Sequence, residues 1–433
     1  MLVEFTLGNF KSFRDRTTFS MVAANLTSED SALDEGNVIP IKKGLRLLKT
    51  AALYGANASG KSNFGVALRF VRRLVLDSAR EAATPAGFGL ELFLLNRESR
   101  EQPSFFEMVF RLNGTQFRYG FEVSRAHIAS EWLFHVPKTK EVALFVREGQ
   151  EIDVRAGFKG GKGLEPRTRP EALFLSVCAL FNGPIAQQIG GWFRDFAVTT
   201  GLQDDDFREQ TLERMRDIPR RGSLVNFIRS LDLSVDDIFI PVFTPLMSLP
   251  IEWTEDERHS ATELAQKIFV VHRPEAGGTE ALAYFDLDQQ ESQGTRKLIA
   301  MAGPLQDVLE KGRVLFVDEL DARLHPLMTR RIVELFHSPL TNPKGAQLIF
   351  ATHDTNLLDK SLFRRDQIWF TEKDAQGATH LTSLADYRVR NGAAFAKNYL
   401  DGRYGAIPFL GDLDRLPWNS VEESQEAREA VHA

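Results

Sequence analysis

Apolar and polar positions alternate from Leu2 to Leu7, and a second strand-like run covers Thr50 to Tyr54. From Lys61 the period changes to that of a helix. Phe64, Ala67, Leu68, Val71 and Val75 share one face of a segment running to about Arg80, closed by an Ala/Gly/Pro-rich stretch at 82–89. Residues 91–147 read as short strands with hairpin turns, Phe105 to Phe110 and Phe117 to Val123 flanking a turn at Asn113-Gly114. Beyond a Gly/Lys-rich break at Gly157 to Gly163, the pattern over 169–232 is helical, punctuated by Gly201 and by Pro219 to Gly222.

A Pro-interrupted apolar passage, Ile238 to Ile251, reads as an edge or linker. Strand-like Ile268 to Val271 and Ala281 to Phe285 flank a turn at Gly277-Gly278, and a helix starts at about Ser292. The remainder alternates strand and helix: Arg313 to Val317, Pro326 to Phe336, Gln347 to Ala351, Thr355 to Leu358, Gln367 to Phe370. That alternation predicts a parallel α/β sheet. From Trp418 the chain is acidic and Ala-rich and reads as a frayed helix or tail. Ala172 to Phe193 carries no charge, but Asn182-Gly183-Pro184, Gln187-Gln188 and Gly190-Gly191 interrupt it. It is therefore read as a buried helix ending near Phe181 and a second helix, not a membrane span.

Composition adds mainly exclusions. In 433 residues, 43% hydrophobic and 26% charged side chains rule out a wholly disordered chain. The single cysteine, Cys178, excludes an intramolecular disulfide framework and a Cys-rich metal site, and fits a reducing cytoplasm. The start, with Glu4 and no basic residue before an apolar run, is not a secretory signal. A net charge of −6 argues against a broad nucleic-acid-binding surface, though not against a local basic patch. Arg208, Arg214, Arg216, Arg220 and Arg221 are interspersed with Glu209, Glu213 and Asp217, and read as a solvated face.

Three segments carry chemistry. Gly55-Ala56-Asn57-Ala58-Ser59-Gly60-Lys61-Ser62 fits the phosphate loop G-x-x-x-x-G-K-[ST], between a strand ending at Tyr54 and a helix starting at Lys61. Small residues let the backbone curl around phosphate oxygens, Lys61 reaches the β- and γ-phosphates, and the Ser62 hydroxyl ligates Mg²⁺. Val314 to Val317 is a buried strand ending in Asp318-Glu319. Beside a phosphate loop, Asp318 holds the magnesium shell and Glu319 orients and polarises the attacking water. Gln347 to Ala351 is another buried strand. It leads to Thr352-His353, one strand–helix unit later, which makes His353 a candidate γ-phosphate contact; a lone histidine after a strand can also be purely structural. Thr371-Glu372-Lys373-Asp374 has its lysine one position late for a guanine-reading box and reads as a turn, favouring ATP over GTP.

This layout resembles ABC-class ATPase heads, and Leu7-Gly8-Asn9-Phe10-Lys11-Ser12-Phe13 resembles the opening of SMC, RecF and OLD-type heads. Tyr54 through Asn63, Glu291-Ser292-Gln293-Gly294-Thr295, Asp318-Glu319-Leu320-Asp321 with Leu324-His325-Pro326, and Lys397 to Pro408 are similar to the OLD-related ATPases. These include the RloA-, AbiL- and PARIS-type subunits of phage defence. The resemblance implies a P-loop NTPase of ABC-head type with an antiparallel β subdomain and a mainly helical insertion. It extends the ATP contacts to Asn63 and makes Glu291 to Thr295 a signature loop, with Ser292 and Gly294 capping nucleotide held by a second subunit. On the residues alone, Ser292 is simply a helix N-cap. Asp321 resembles the D-loop residue that faces the opposite subunit. Gln102 and Gln116 are candidates for the glutamine completing the magnesium shell.

The expected organisation is an N-terminal lobe (1–150), a mainly helical insertion (151–280), a C-terminal lobe (281–415) and an acidic tail (416–433). The expected function is a cytoplasmic, Mg²⁺-dependent ATPase, with Lys61, Glu319 and His353 catalytic. It would act as a nucleotide-gated switch in a head-to-head dimer or higher oligomer, with no membrane contact. Because 433 residues leave no room for a nuclease module, the effector is expected to be a separate, nuclease-like protein. The alternative is a RecF-like DNA-binding ATPase in repair; a transporter subunit is disfavoured by the opening motif and the missing Leu-Ser-Gly-Gly-Gln.

Overall fold

The computed structural model describes residues 1–26, 28, 30–41, 44–80, 88–201, 205–231, 235–241, 267–273, 282–388 and 394–408. The expected tail at 416–433, the turn at 277–278, residues 242–251 and most of the stretch at 82–89 lie outside them.

The chain opens with β1 (Leu2–Gly8), β2 (Thr17–Ser20), α1 (Ser31–Asn37), β3 (Val38–Pro40), β4 (Arg46–Leu48), β5 (Thr50–Tyr54) and α2 (Lys61–Asp77). An antiparallel run follows: β6 (Ser104–Leu112), β7 (Thr115–Val123), β8 (Ile128–Val136), β9 (Val142–Glu148) and β10 (Glu151–Val154). Then come α3 (Phe174–Leu180), α4 (Pro184–Asp195), β11 (Ala197–Thr200), α5 (Asp205–Arg216), α6 (Ile218–Leu231), β12 (Asp237–Phe239), β13 (Phe269–His272) and β14 (Ala283–Asp286). The last part holds α7 (Gln293–Lys311), β15 (Val314–Asp318), α8 (Pro326–His337), β16 (Gln347–Ala351), β17 (Ile368–Lys373), β18 (Thr379–Ser383) and α9 (Phe395–Leu400).

Two sheets organise the fold. One is antiparallel, in the order β10-β9-β8-β7-β6-β1-β2; the other runs β11-β15-β16-β5-β17-β18 and is parallel apart from the β17–β18 hairpin. Every residue of β5, β15 and β16 is buried, because both faces of the parallel sheet are covered. Alternation along β5 sends Ala51 and Leu53 into the core shared with the antiparallel sheet. Ala52 and Tyr54 enter the core under α7 and α8. Helix α2 lies between the sheets, and its Phe64 touches Phe5, Phe19 and Phe316 at ring-centroid distances of 5.5, 5.2 and 5.9 Å. Truncating Phe64 to alanine would cost about 3–5 kcal/mol. The Gln347 side chain joins the sheets: its carbonyl accepts from Leu2 N (2.6 Å) and its amide donates to the Leu2 and Leu48 carbonyls.

The reading of 169–232 as helical misses β11. This four-residue segment pairs in parallel with β15, Thr200 lying opposite Asp318, so the middle of the chain supplies a strand to the parallel sheet. Four residues are too short for a period, and the partner strand lies more than a hundred residues away in sequence. Helices α3 and α4 pack into the same core as the antiparallel sheet; β12, β13 and β14 form a separate three-stranded sheet with its own small core. The uncharged stretch resolves into α3 and α4 as expected. Among the described residues no helix is long and apolar enough to cross a membrane.

Candidate functional site

The loop 55–60 leaves the end of β5 and enters α2. Two glycines are demanded by contact. A Cβ on Gly55 would lie 2.3 Å from Thr371 Oγ1 and 2.4 Å from the Thr371 carbonyl. One on Gly60, at φ +120°, would lie 2.4 Å from Thr379 Oγ1. Thr371 and Thr379 brace the loop from behind: Ser59 Oγ lies 2.6 Å from Thr371 Oγ1, and Thr379 Oγ1 donates to the Ser59 carbonyl at 2.7 Å. Ser12, from the opening motif, accepts from Asn63 Nδ2 at 2.7 Å and sits 2.8 Å from Thr379 Oγ1. Asn57, Ala58 and Ser62 are exposed at the rim, with Ala58 at φ 62°.

Gly60 caps α2 without a side-chain hydrogen bond, and no acid stands in the first turn. The leading N–H groups therefore keep the positive potential that favours an anion. Lys61 is buried and folded back, donating to the Gly55 and Ala56 carbonyls at 2.7 and 3.1 Å. Burial lowers its pKa to about 8, against the opposing pull of Asp318, Glu319 and Asp321.

Those three carboxylates follow the end of β15. Asp318 is buried, and its Oδ1 has no hydrogen-bond partner. Glu319 turns the chain sharply at φ 56°. Gly201, at the end of β11, fits against this turn: its N–H donates to the Asp318 carbonyl at 2.6 Å, and a Cβ there would lie 2.1 Å from the Glu319 carbonyl. Asp321 Oδ2 accepts the backbone N–H of His353 at 3.3 Å. The His353 ring is exposed, and its pKa is lowered by partial burial and then by the Lys61 charge, with Asp321, Glu319 and Asp318 opposing. Lys61, Asp318, Glu319, Asp321 and His353 thus share one electrostatic neighbourhood.

Asp318 passes a direct test for a divalent cation. A buried carboxylate oxygen without a donor is costly unless a cation or water meets it. Among the described residues no group of three or more His, Cys, Asp or Glu side chains could cage a metal. A carboxylate oxygen such as Asp318 Oδ1 is the kind of ligand that Mg²⁺ takes from a protein, alongside waters and phosphate oxygens.

Ser292 and Gly294 lie elsewhere. Ser292 caps α7, accepting the Thr295 N–H at 3.1 Å, and a Cβ on Gly294 would lie 3.1 Å from the Arg323 carbonyl. Among the described residues no hydrogen bond joins either to the 55–62 loop. Gln116, paired with Arg111 and Val136, lies toward the end of the antiparallel sheet where Met1 bonds Arg111, opposite the end where β1 leads into Asn9. Gln102 is exposed, its carbonyl accepting from Asn9 Nδ2. Thr371 belongs to β17 rather than to the expected turn, because pairing with β18 carries the strand on to Lys373. Thr371, Thr379, Ser12 and Gly201 are missing from the sequence-derived site. The one local hint is a buried threonine continuing the apolar Ile368–Phe370 run.

No curated protein matches the chain. Among solved structures it is similar to the SMC head domain from Thermotoga maritima, at 15% identity and TM-score 0.41, covering 88% of this chain and 98% of that one. It is also similar to an SMC head bound to the C-terminal winged-helix domain of ScpA, at 14% identity and TM-score 0.42, covering 88% and 97%. A third, the SMC head with an extended coiled coil bound to the C-terminal domain of ScpA derived from Pyrococcus furiosus, gives 14%, 0.35, and coverage of 88% and 96%. Residues 51–359 match the family model described as "AAA domain, putative AbiEii toxin, Type IV TA system". That match spans the phosphate loop, the acidic strand end and His353, and the chain belongs to this AAA-domain family.

Proposed function

We propose that the chain is a Mg²⁺-dependent ATPase working as a nucleotide-gated switch, of the OLD-related kind, that controls a separately encoded nuclease-like effector in phage defence. The observation that carries the ATPase reading is the unpartnered, buried Asp318 Oδ1 in the neighbourhood of a phosphate loop whose lysine is held on its own carbonyls. The family's description in terms of a toxin–antitoxin system supports the defence setting.

In this reading Gly55 to Asn63 cradle the phosphates and Lys61 exchanges its carbonyl partners for phosphate oxygens. Ser62 and Asp318 would hold Mg²⁺, which supplies charge neutralisation at the phosphates. Glu319 orients the attacking water and accepts its proton, and His353 donates toward the γ-phosphate. Ser292 and Gly294, which among the described residues make no hydrogen bond to their own chain's loop, serve the nucleotide of a second copy, and Asp321 faces that copy.

The test is Glu319→Gln. It is expected to bind MgATP while lowering kcat by about 10²–10⁴-fold, the usual contribution of a general base, and to accumulate an ATP-bound dimer in light scattering. Normal turnover would sink the mechanism. Mixing Lys61→Ala with Ser292→Arg subunits is expected to restore one composite site per mixed dimer; absence of rescue refutes the head-to-head arrangement.

A further inference from the structure

Lys297, in the second turn of α7, is fully buried. Its ammonium donates to the Leu320 carbonyl at 3.1 Å and to the Ala322 carbonyl at 2.5 Å. These are the carbonyls of the two residues on either side of Asp321. Gly201 closes the third side, because a Cβ there would stand 2.7 Å from Lys297 Nζ as well as 2.1 Å from the Glu319 carbonyl. The ammonium thus fills a niche between the helix capped by Ser292 and the turn that carries Glu319 and Asp321.

A surface lysine would hold such carbonyls loosely. A buried ammonium bonded to two main-chain acceptors is costly to displace, because withdrawing it leaves charge and carbonyls unsatisfied. The α7 end bearing Ser292 and Gly294 and the 319–322 turn are therefore held to one geometry. Asp321 passes that geometry to His353 through the His353 N–H.

We infer that Lys297 is a positioning residue that locks the Glu319–Asp321 turn to the Ser292 end of α7, so that engagement of a γ-phosphate by Ser292 and Gly294 sets the catalytic geometry of their own chain. This rests on the ATPase reading above. Lys297 acts through the backbone of residues 320–322.

The test uses the full-length protein and compares Lys297→Met and Lys297→Arg with wild type for MgATP affinity, kcat and thermal midpoint. Lys297→Met keeps the stem and removes the ammonium. It is expected to leave MgATP affinity within about 3-fold, since the loop is braced by Thr371 and Thr379, and to lower kcat at least about 10-fold. Lys297→Arg, which restores donors, is expected to recover a substantial part of kcat. In the Glu319→Gln background Lys297→Met is expected to add little further loss, because both changes disable the same turn. An unchanged kcat in a folded Lys297→Met protein overturns the inference. So does an equal loss of affinity and kcat that follows the thermal midpoint in both variants, which would mark a purely structural lysine. If Lys297→Met does not fold, Lys297→Gln takes its place: wild-type KM with kcat lowered at least about 10-fold supports the role, and wild-type values of both refute it. Wild type without ATP turnover overturns the ATPase reading and this inference together, whereas wild-type turnover with insensitive Lys297 variants overturns only the latter.

Discussion

The backbone N–H of His353 donates to the Asp321 carboxylate at 3.3 Å, joining the segments that follow two neighbouring parallel strands. Removing that acceptor by Asp321→Ala frees the His353 loop without touching the phosphate loop. The expected result is MgATP binding close to wild type and kcat lower by roughly 10-fold, the scale of one lost charge-assisted hydrogen bond. Steady-state kinetics beside a direct binding titration check it; equal losses in both would contradict this account.

The glycines that face the threonine braces make a second case. In Gly60→Ala a methyl group would have to share space with the Thr379 side chain at a backbone angle that alanine disfavours. Stability should fall by about 2–4 kcal/mol and MgATP binding should be lost. Adding Thr379→Ser, which deletes one of the opposing atoms, should return part of the stability. Urea midpoints of the single and double variants measure the coupling, and strictly additive losses would refute the contact.

A pH prediction follows from the Thr50 end of β5, away from the phosphate loop. His337 is buried, its Nε2 is 2.7 Å from Thr50 Oγ1, and Lys49 Nζ donates to its carbonyl at 3.0 Å. Burial and then the Lys49 charge lower its pKa to about 3, against 6.5 for free histidine. Between those values the unfolded chain binds a proton that the folded protein excludes. This contribution to stability is therefore complete above 6.5 and is lost as pH falls, by up to about 1.4 kcal/mol per unit. His337→Gln should be less stable than wild type near neutral pH yet lose less on acidification. Denaturant midpoints between about pH 7 and pH 5 check this; parallel curves would exclude it.

What could be read from the chain and what could not divides by sequence distance. The phosphate loop, the acidic strand end and the His353 strand are contiguous signals whose flanks supply their own context, and each lies on the expected element. The braces are different, since Thr371 and Thr379 meet the loop across more than three hundred residues, and nothing local marks them as loop contacts. Charge was misleading for a related reason. The arginine-rich stretch read as a solvated face, but Arg214 is buried and bonded to Asp307 and Glu310 of α7, while Arg208 pairs with Asp288. Whether mixed charges face water or another element depends on acids that arrive much later in the chain.

The sheet order also has a consequence for synthesis. The strand leading into the phosphate loop ends at residue 54, yet its two neighbours in the sheet begin at residues 347 and 368. At a translation rate of roughly 5–20 residues per second, both hydrogen-bonding edges of this apolar strand stay bare for about 15–60 s after it is made. The phosphate loop therefore cannot be seated in its sheet on a partial chain, and a ribosome that stalls before residue 347 releases an aggregation-prone strand rather than a weakened copy of the fold.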